Sequence, residues 1–133
     1  MAKQLLGKEV TAAMNEKIKA NVAKLQEKGI TPTLGIIRVG ERDDDISYER
    51  GATKRCETLG VAYEKFLLPQ DVTEEELLKV IDQVNKNDAI HGVLLFRPLP
   101  KHLNEEKIIN GCRFCNGMHN GFHRLLIKLK LIF

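Results

Sequence analysis

The 133-residue chain has no tryptophan, two tyrosines, three cysteines and four prolines. It also has no uninterrupted apolar run near the ~20 residues that cross a bilayer. Each shortage excludes something. Three cysteines, an odd number, are too few for a disulfide-stapled secreted domain, so free thiols or metal ligands are expected. Residues 1–7 lack the apolar stretch of a signal peptide, and the most apolar segment, 125–133, is interrupted by Lys128 and Lys130. A cytoplasmic location with no membrane partner is the expectation. Neither G-x-G-x-x-G nor G-x-x-x-x-G-K-[ST] occurs, which argues against a nucleotide held on a glycine-rich loop. The last shortage is positional. All 18 acids and 17 of the 21 bases lie in residues 1–107, net −1, whereas residues 108–133 carry the other four bases and no acid, net +4.

What is present suits one ordinary domain, because this length buries a single core but not a catalytic domain together with a complete dinucleotide-binding domain. Val10, Met14, Ile18, Val22 and Leu25 draw one stripe down a first helix, and Gly29 follows as a left-handed C-terminal cap. Thr33–Val39 reads as a strand that Gly40 ends. The acids of 41–45 offer an N-cap for a second helix running through Tyr48, Ala52 and Cys56 to Leu59, closed by Gly60. The cycle repeats with a strand over 61–68, then a capping box from Thr73 to Glu76 opening a third helix with Leu77, Ile81 and Val84 on its buried face. Gly92–Phe96 is a continuous apolar run suited to a strand covered on both sides, and Pro98-Leu99-Pro100 stops it. Asn104 is placed to cap a fourth helix. Such alternation predicts an α/β fold, a three-layer sandwich with a mostly parallel sheet. Ligands of such sheets bind beyond the carboxyl ends of the strands, here 40–47, 69–71 and 97–100.

The chain carries an ordered set of motifs: Leu34-Gly35-Ile36-Ile37-Arg38-Val39-Gly40, Ser47-Tyr48, Lys54-Arg55-Cys56-Glu57-Thr58-Leu59-Gly60-Val61, Leu68-Pro69, the helix start at 73–78, and Ile90-His91-Gly92-Val93-Leu94-Leu95 leading into Pro98-Leu99-Pro100. Over about residues 1–109 the chain resembles the methylenetetrahydrofolate dehydrogenase/methenyltetrahydrofolate cyclohydrolase family, the bifunctional FolD proteins. The resemblance implies an N-terminal catalytic domain that binds tetrahydrofolate in a cleft against an NADP-binding Rossmann domain, in a homodimer. Family members oxidise 5,10-methylenetetrahydrofolate with NADP and hydrolyse the methenyl product to 10-formyltetrahydrofolate. It further implies that Tyr48 stacks on the folate and that Pro98, Leu99 and Pro100 line its site.

Two departures stand out. The family's lysine, one turn after the tyrosine, is Ala52, and the glutamine that supports it is Phe96. Of the nearby cations, Lys54 lies about 120° off the Tyr48 stripe and Arg55 within about 20° of it. Arg55 stays protonated and cannot be a general base. No residue therefore carries over as catalytic. The paired loss fits a subgroup that keeps hydride transfer, which needs positioned reactants, and loses cyclohydrolase chemistry, which needs a proton relay. Asp43, Asp44 and Asp45 read as a solvated helix N-terminus rather than a metal cluster, His91 as structural, and Cys56 as a buried thiol.

Beyond Asn110 the match stops: no D-V-D-G stretch and no cofactor domain follow. Loss of every acid at that point is what a shifted reading frame produces. Residues 110–133 are thus expected to be a frameshifted or truncated basic tail. On that expectation the fragment retains at most folate binding, holds no cofactor, and is a monomer or self-associates. A different class of reading makes it a non-enzymatic module, either an interaction domain or a zinc protein using Cys112, Cys115, His119 and His123. Four scattered bases without aromatic platforms do not predict a nucleic-acid partner, and Lys128 and Lys130 alternating with apolar residues suit an edge strand.

Overall fold

Helix and strand alternate through the computed structural model, which describes residues 6–111 and 125–127. The elements are α1 (Gly7–Glu27), β1 (Thr33–Val39), α2 (Asp43–Leu59), β2 (Ala62–Leu68), α3 (Glu74–Lys86), β3 (Gly92–Phe96), α4 (Glu105–Gly111) and β4 (Leu125–Ile127). The sheet order is β2-β1-β3-β4. β1 runs parallel to β2, pairing Ile36 with Lys65, and parallel to β3, pairing Ile36 with Leu94. β4 adds to β3 antiparallel, Leu95 opposite Leu126. β4 is an edge strand at 125–127, while the edge strand anticipated around Lys128 and Lys130 falls outside the described residues.

Side chains alternate across a strand, so β1 feeds two layers. Ile37 and Val39 enter a large cluster with Leu77, Ile81 and Val84 of α3 and Ile108 of α4. Ile36 points to the other face, where it meets Leu94, Phe96 and, from α2, Ala52. This is the three-layer α/β sandwich that the alternation predicts. Ile37, Leu77 and Ile108 are completely buried. Each such side chain contributes about 2 kcal/mol by leaving water.

The punctuation also follows the sequence. Thr73 Oγ1 accepts from the Glu76 amide while Glu76 accepts from the Thr73 amide, completing the capping box. Asn104 Oδ1 accepts from the Lys107 amide and caps α4. Gly60 ends α2 at φ 74°, a left-handed conformation that a side chain would strain. Two expectations need correcting. Arg42, not an acid, is the N-cap of α2, and it offers no side-chain bond. Asp43, Asp44 and Asp45 occupy the first turn instead, where exposed amides and the helix dipole favour negative charge. The α1 stripe is also only half used: Val22 is buried, whereas Val10 is 60% and Met14 54% exposed. Periodicity identifies the helix but not what covers its first turns.

Candidate functional site

The loop after β1 and the loop after β3 meet in a recess lined by Arg42, Asp44, Asp45, Tyr48, Phe96, Arg97 and Pro98. Parallel strands bring their carboxyl ends to one side of the sheet, and α2 starts directly above them, so the first turn of α2 faces the turn after β3. Tyr48 is 51% exposed, an aromatic ring offered to solvent instead of to the core. Of the expected ligand-binding residues, Tyr48 and Pro98 come together here. Leu99 is buried in the main cluster, and Pro100 lines a neighbouring hollow with Gln70, Asp71, Lys101 and His102.

Ala52 and Phe96 share the apolar cluster on the α2 face of the sheet. Lys54 is exposed, and Arg55 Nη2 donates to Asn15 Oδ1 of α1 at 2.8 Å. Neither lines the recess, whose cations are Arg42 and Arg97. Arg97 is held from α4: its Nε and Nη2 donate to Glu105 Oε2, while Glu105 Oε1 accepts from the Leu99 amide at 2.7 Å. The Arg97–Pro98 peptide between them is cis. Burial alone would raise the Glu105 carboxyl, but the bonds from Arg97 and the Leu99 amide outweigh it and hold Glu105 below the usual range. Among the described residues lining the recess there is no Lys, His or Cys. An exposed aromatic ring beside a proline and two guanidinium groups suits binding and positioning of a planar, anionic ligand.

Beside the recess lies an ion group whose residues sequence reasoning did not single out. Arg38, on the α2 face of β1, donates through Nε to Glu49 Oε2 at 2.6 Å and through Nη1 to the Gly40 carbonyl. Lys65 of β2 reaches Glu49 Oε1 at 2.9 Å. Arg38 and Glu49 are only 8% and 7% exposed. Burial pushes the Glu49 carboxyl up, yet Lys65 and Arg38 together pull it below its ordinary value. A signal existed: the buried residues of α2 are Asp45, Glu49, Thr53, Cys56 and Leu59, a helical stripe that can be traced backwards from Leu59. Following Tyr48, Ala52 and Cys56 instead conceals it, because three of the five buried residues are polar.

His91 Nδ1 accepts from the Thr33 amide at 3.2 Å, tying the start of β3 to the start of β1. Cys56 is buried, and burial, helped by Glu57, pushes its thiol up. Asp45 departs from the solvated reading of its neighbours, being 7% exposed while Asp43 and Asp44 are open. Cys112, Cys115, His119 and His123 lie outside the described residues. The connection after β1, 40–42, has a single glycine and an acid, Glu41, and the first turn of α2 adds three aspartates, a poor match for the diphosphate of NADP.

The tetrahydrofolate dehydrogenase/cyclohydrolase catalytic-domain family model matches residues 5–113. The bifunctional protein FolD of Carboxydothermus hydrogenoformans is 53% identical over 108 residues, covering 81% of this chain and 38% of that protein. FolD of Clostridium botulinum strain Hall is 46% identical over 128 residues, 96% of this chain and 45% of that protein, an alignment that runs on beyond Gly111. Among solved structures, the bifunctional FolD methylenetetrahydrofolate dehydrogenase/cyclohydrolase of Campylobacter jejuni superposes with a TM-score of 0.79 at 31% identity, over 82% of this chain and 39% of that one. The Trypanosoma brucei FolD complexed with NADP cofactor and inhibitor gives 0.78 at 28% identity, over 84% and 38%. The chain spans less than half the length of these relatives. With its α/β sandwich, its strand-end recess and this match over most of its length, the chain belongs to the tetrahydrofolate dehydrogenase/cyclohydrolase family, of which it carries the catalytic domain.

Proposed function

We propose that this domain is a reduced-folate-binding module that performs no turnover by itself, and that the full-length proteins sharing its sequence transfer hydride from methylenetetrahydrofolate without an efficient cyclohydrolase step. The observation that carries the binding reading is Tyr48, half-exposed and lining one recess with Pro98. A flat aromatic face beside a rigid proline ring suits stacking of a planar pterin or aminobenzoyl group. The inefficient cyclohydrolase step is argued from the family lysine being Ala52 and its supporting glutamine Phe96, packed in one apolar cluster where a proton relay would need polar groups. Hydride transfer asks only that two reactants be held in line, which shape and stacking can supply. The lack of acids in 110–133 favours a shifted frame and the alignment with Clostridium botulinum FolD that continues into this stretch opposes it; translation of the coding DNA around codons 105–115 in the other frames decides between the two.

Calorimetric titration of the chain with 5-formyltetrahydrofolate tests the binding reading. Wild type should bind, and Tyr48→Ala should weaken affinity about tenfold, the ~1.4 kcal/mol of one good stacking contact. Equal affinity in both proteins would remove Tyr48 from the site. Assaying both activities in a full-length relative with the same Ala and Phe tests the second half. Robust cyclohydrolase turnover there overturns it.

A further inference from the structure

Glu105 is the one described carboxylate that grips both sides of the proline at the mouth of the recess. Its Oε2 accepts from Arg97 Nε and Nη2, and its Oε1 accepts from the Leu99 amide. Residues 97 and 99 flank Pro98, and Arg97 and Pro98 both line the recess with Tyr48. The grip is itself anchored. Glu105 opens α4, whose Ile108 is fully buried in the main cluster, and Leu99 and Leu103 are buried in the same cluster. The start of α4 is joined to the start of α3 by Glu74, which accepts from the Asn104 amide and from Lys107 Nζ. A rigid scaffold therefore reaches the recess through one side chain. The chemistry needs a carboxylate: two oxygens must both accept, one from a guanidinium and one from an amide. Glutamine has a single acceptor oxygen, so its amide nitrogen would meet one of the two donors. Aspartate is one methylene too short to span both.

From this geometry we infer that Glu105 is a positioning residue for folate binding, acting through Arg97 and the Pro98-Leu99-Pro100 turn. The inference rests on the folate-binding reading above. With Glu105 in place, the Arg97 guanidinium and the Pro98 ring present a fixed wall opposite Tyr48. Without it, Arg97 regains its rotamer freedom and the turn loses a charge-assisted hydrogen bond, so the wall must be ordered anew each time ligand binds.

The test is calorimetric titration of the full chain with 5-formyltetrahydrofolate, using wild type, Glu105→Gln, Arg97→Gln, the double variant and Tyr48→Ala, with Lys86→Met as an exposed control. Glu105→Gln should bind about tenfold more weakly, in line with loss of a hydrogen bond to a charged group. The double variant should lose less than the product of the two single losses, because Glu105 acts largely through Arg97. Hydrogen exchange at the Leu99 amide should quicken in Glu105→Gln, and far-UV circular dichroism melts show whether the variant is folded. Wild-type affinity in folded Glu105→Gln, alongside weakened binding by Tyr48→Ala, overturns the positioning role and leaves the folate reading intact. Independent, multiplicative losses at Arg97 and Glu105 also overturn it, because they make Glu105's effect merely structural. A wild-type chain that binds no folate overturns the function reading, and the positioning role with it.

Discussion

Replacing Glu49 by alanine removes the only carboxylate that binds Arg38 in the described structure and strands a guanidinium beneath α2. Arg38 is 8% exposed and would keep only its bond to the Gly40 carbonyl. Lys65, whose side chain is 38% exposed, rehydrates at little cost, so the penalty comes almost wholly from Arg38. Stranding one member of a buried ion pair costs roughly 3–5 kcal/mol, a large share of the ~5–15 kcal/mol that holds a domain of this size. Urea unfolding followed by far-UV circular dichroism is the assay, since the chain has no tryptophan. With an m-value of about 2 kcal/mol per molar, the midpoint should fall by about 1.5–2.5 M. The same reasoning makes a second, opposite demand. Arg38→Met combined with Glu49→Leu removes both desolvated charges and should recover most of the loss, because an apolar pair of similar volume escapes the desolvation penalty. A Glu49→Ala cost under about 1 kcal/mol, or a double variant as unstable as the single, would refute the account.

Acid should destabilise the domain through the same group. The folded-state pKa values of Glu49 and Glu105 lie below their ordinary values, so the stability they contribute is present above the usual carboxylate range and lost as pH falls through the folded values. Thermal melts between about pH 6 and pH 3 should show this decline, and Glu49→Gln, though less stable throughout, should show a shallower one. Thr73→Ala removes one half of the α3 capping box and should cost about 1 kcal/mol in urea unfolding. A change below a few tenths would mean that the Glu74 to Glu76 charges suffice to start α3.

Much of the fold is legible because local chemistry and burial agree there. β1 and β3 coincide with their apolar runs, α3 starts on its capping box, and Leu77, Ile81 and Val84 are the buried face their spacing describes. Legibility fails where the interior is polar. α2 turns Asp45, Glu49 and Thr53 inward, and β1 buries Arg38 in a run of branched apolar residues. A hydrophobic pattern is blind to such a face, because a paired charge is as well buried as a leucine once its partner is present. That partner is a long-range fact: Glu49 is 11 residues from Arg38 in the chain. Glu105 is hidden for the same reason. Its place in the first turn of α4 reads as a dipole-favoured acid, and only the chain reversal around Pro98 brings Arg97 and the Leu99 amide onto it.

On the proposed reading, the departures at 52 and 96 belong together. Ala52 and Phe96 meet in a single apolar cluster, so a lysine at 52 would have to leave its ammonium beside a phenyl ring, with no glutamine to receive it. A glutamine at 96 without that lysine would be a buried amide lacking a partner, a cost of about 1–3 kcal/mol. One residue beyond Phe96, at the Pro-Leu-Pro turn, Arg97 is fixed by Glu105. A guanidinium holds its proton throughout the physiological range. On the proposed reading, the site offers a cation that can orient a folate without taking part in proton transfer.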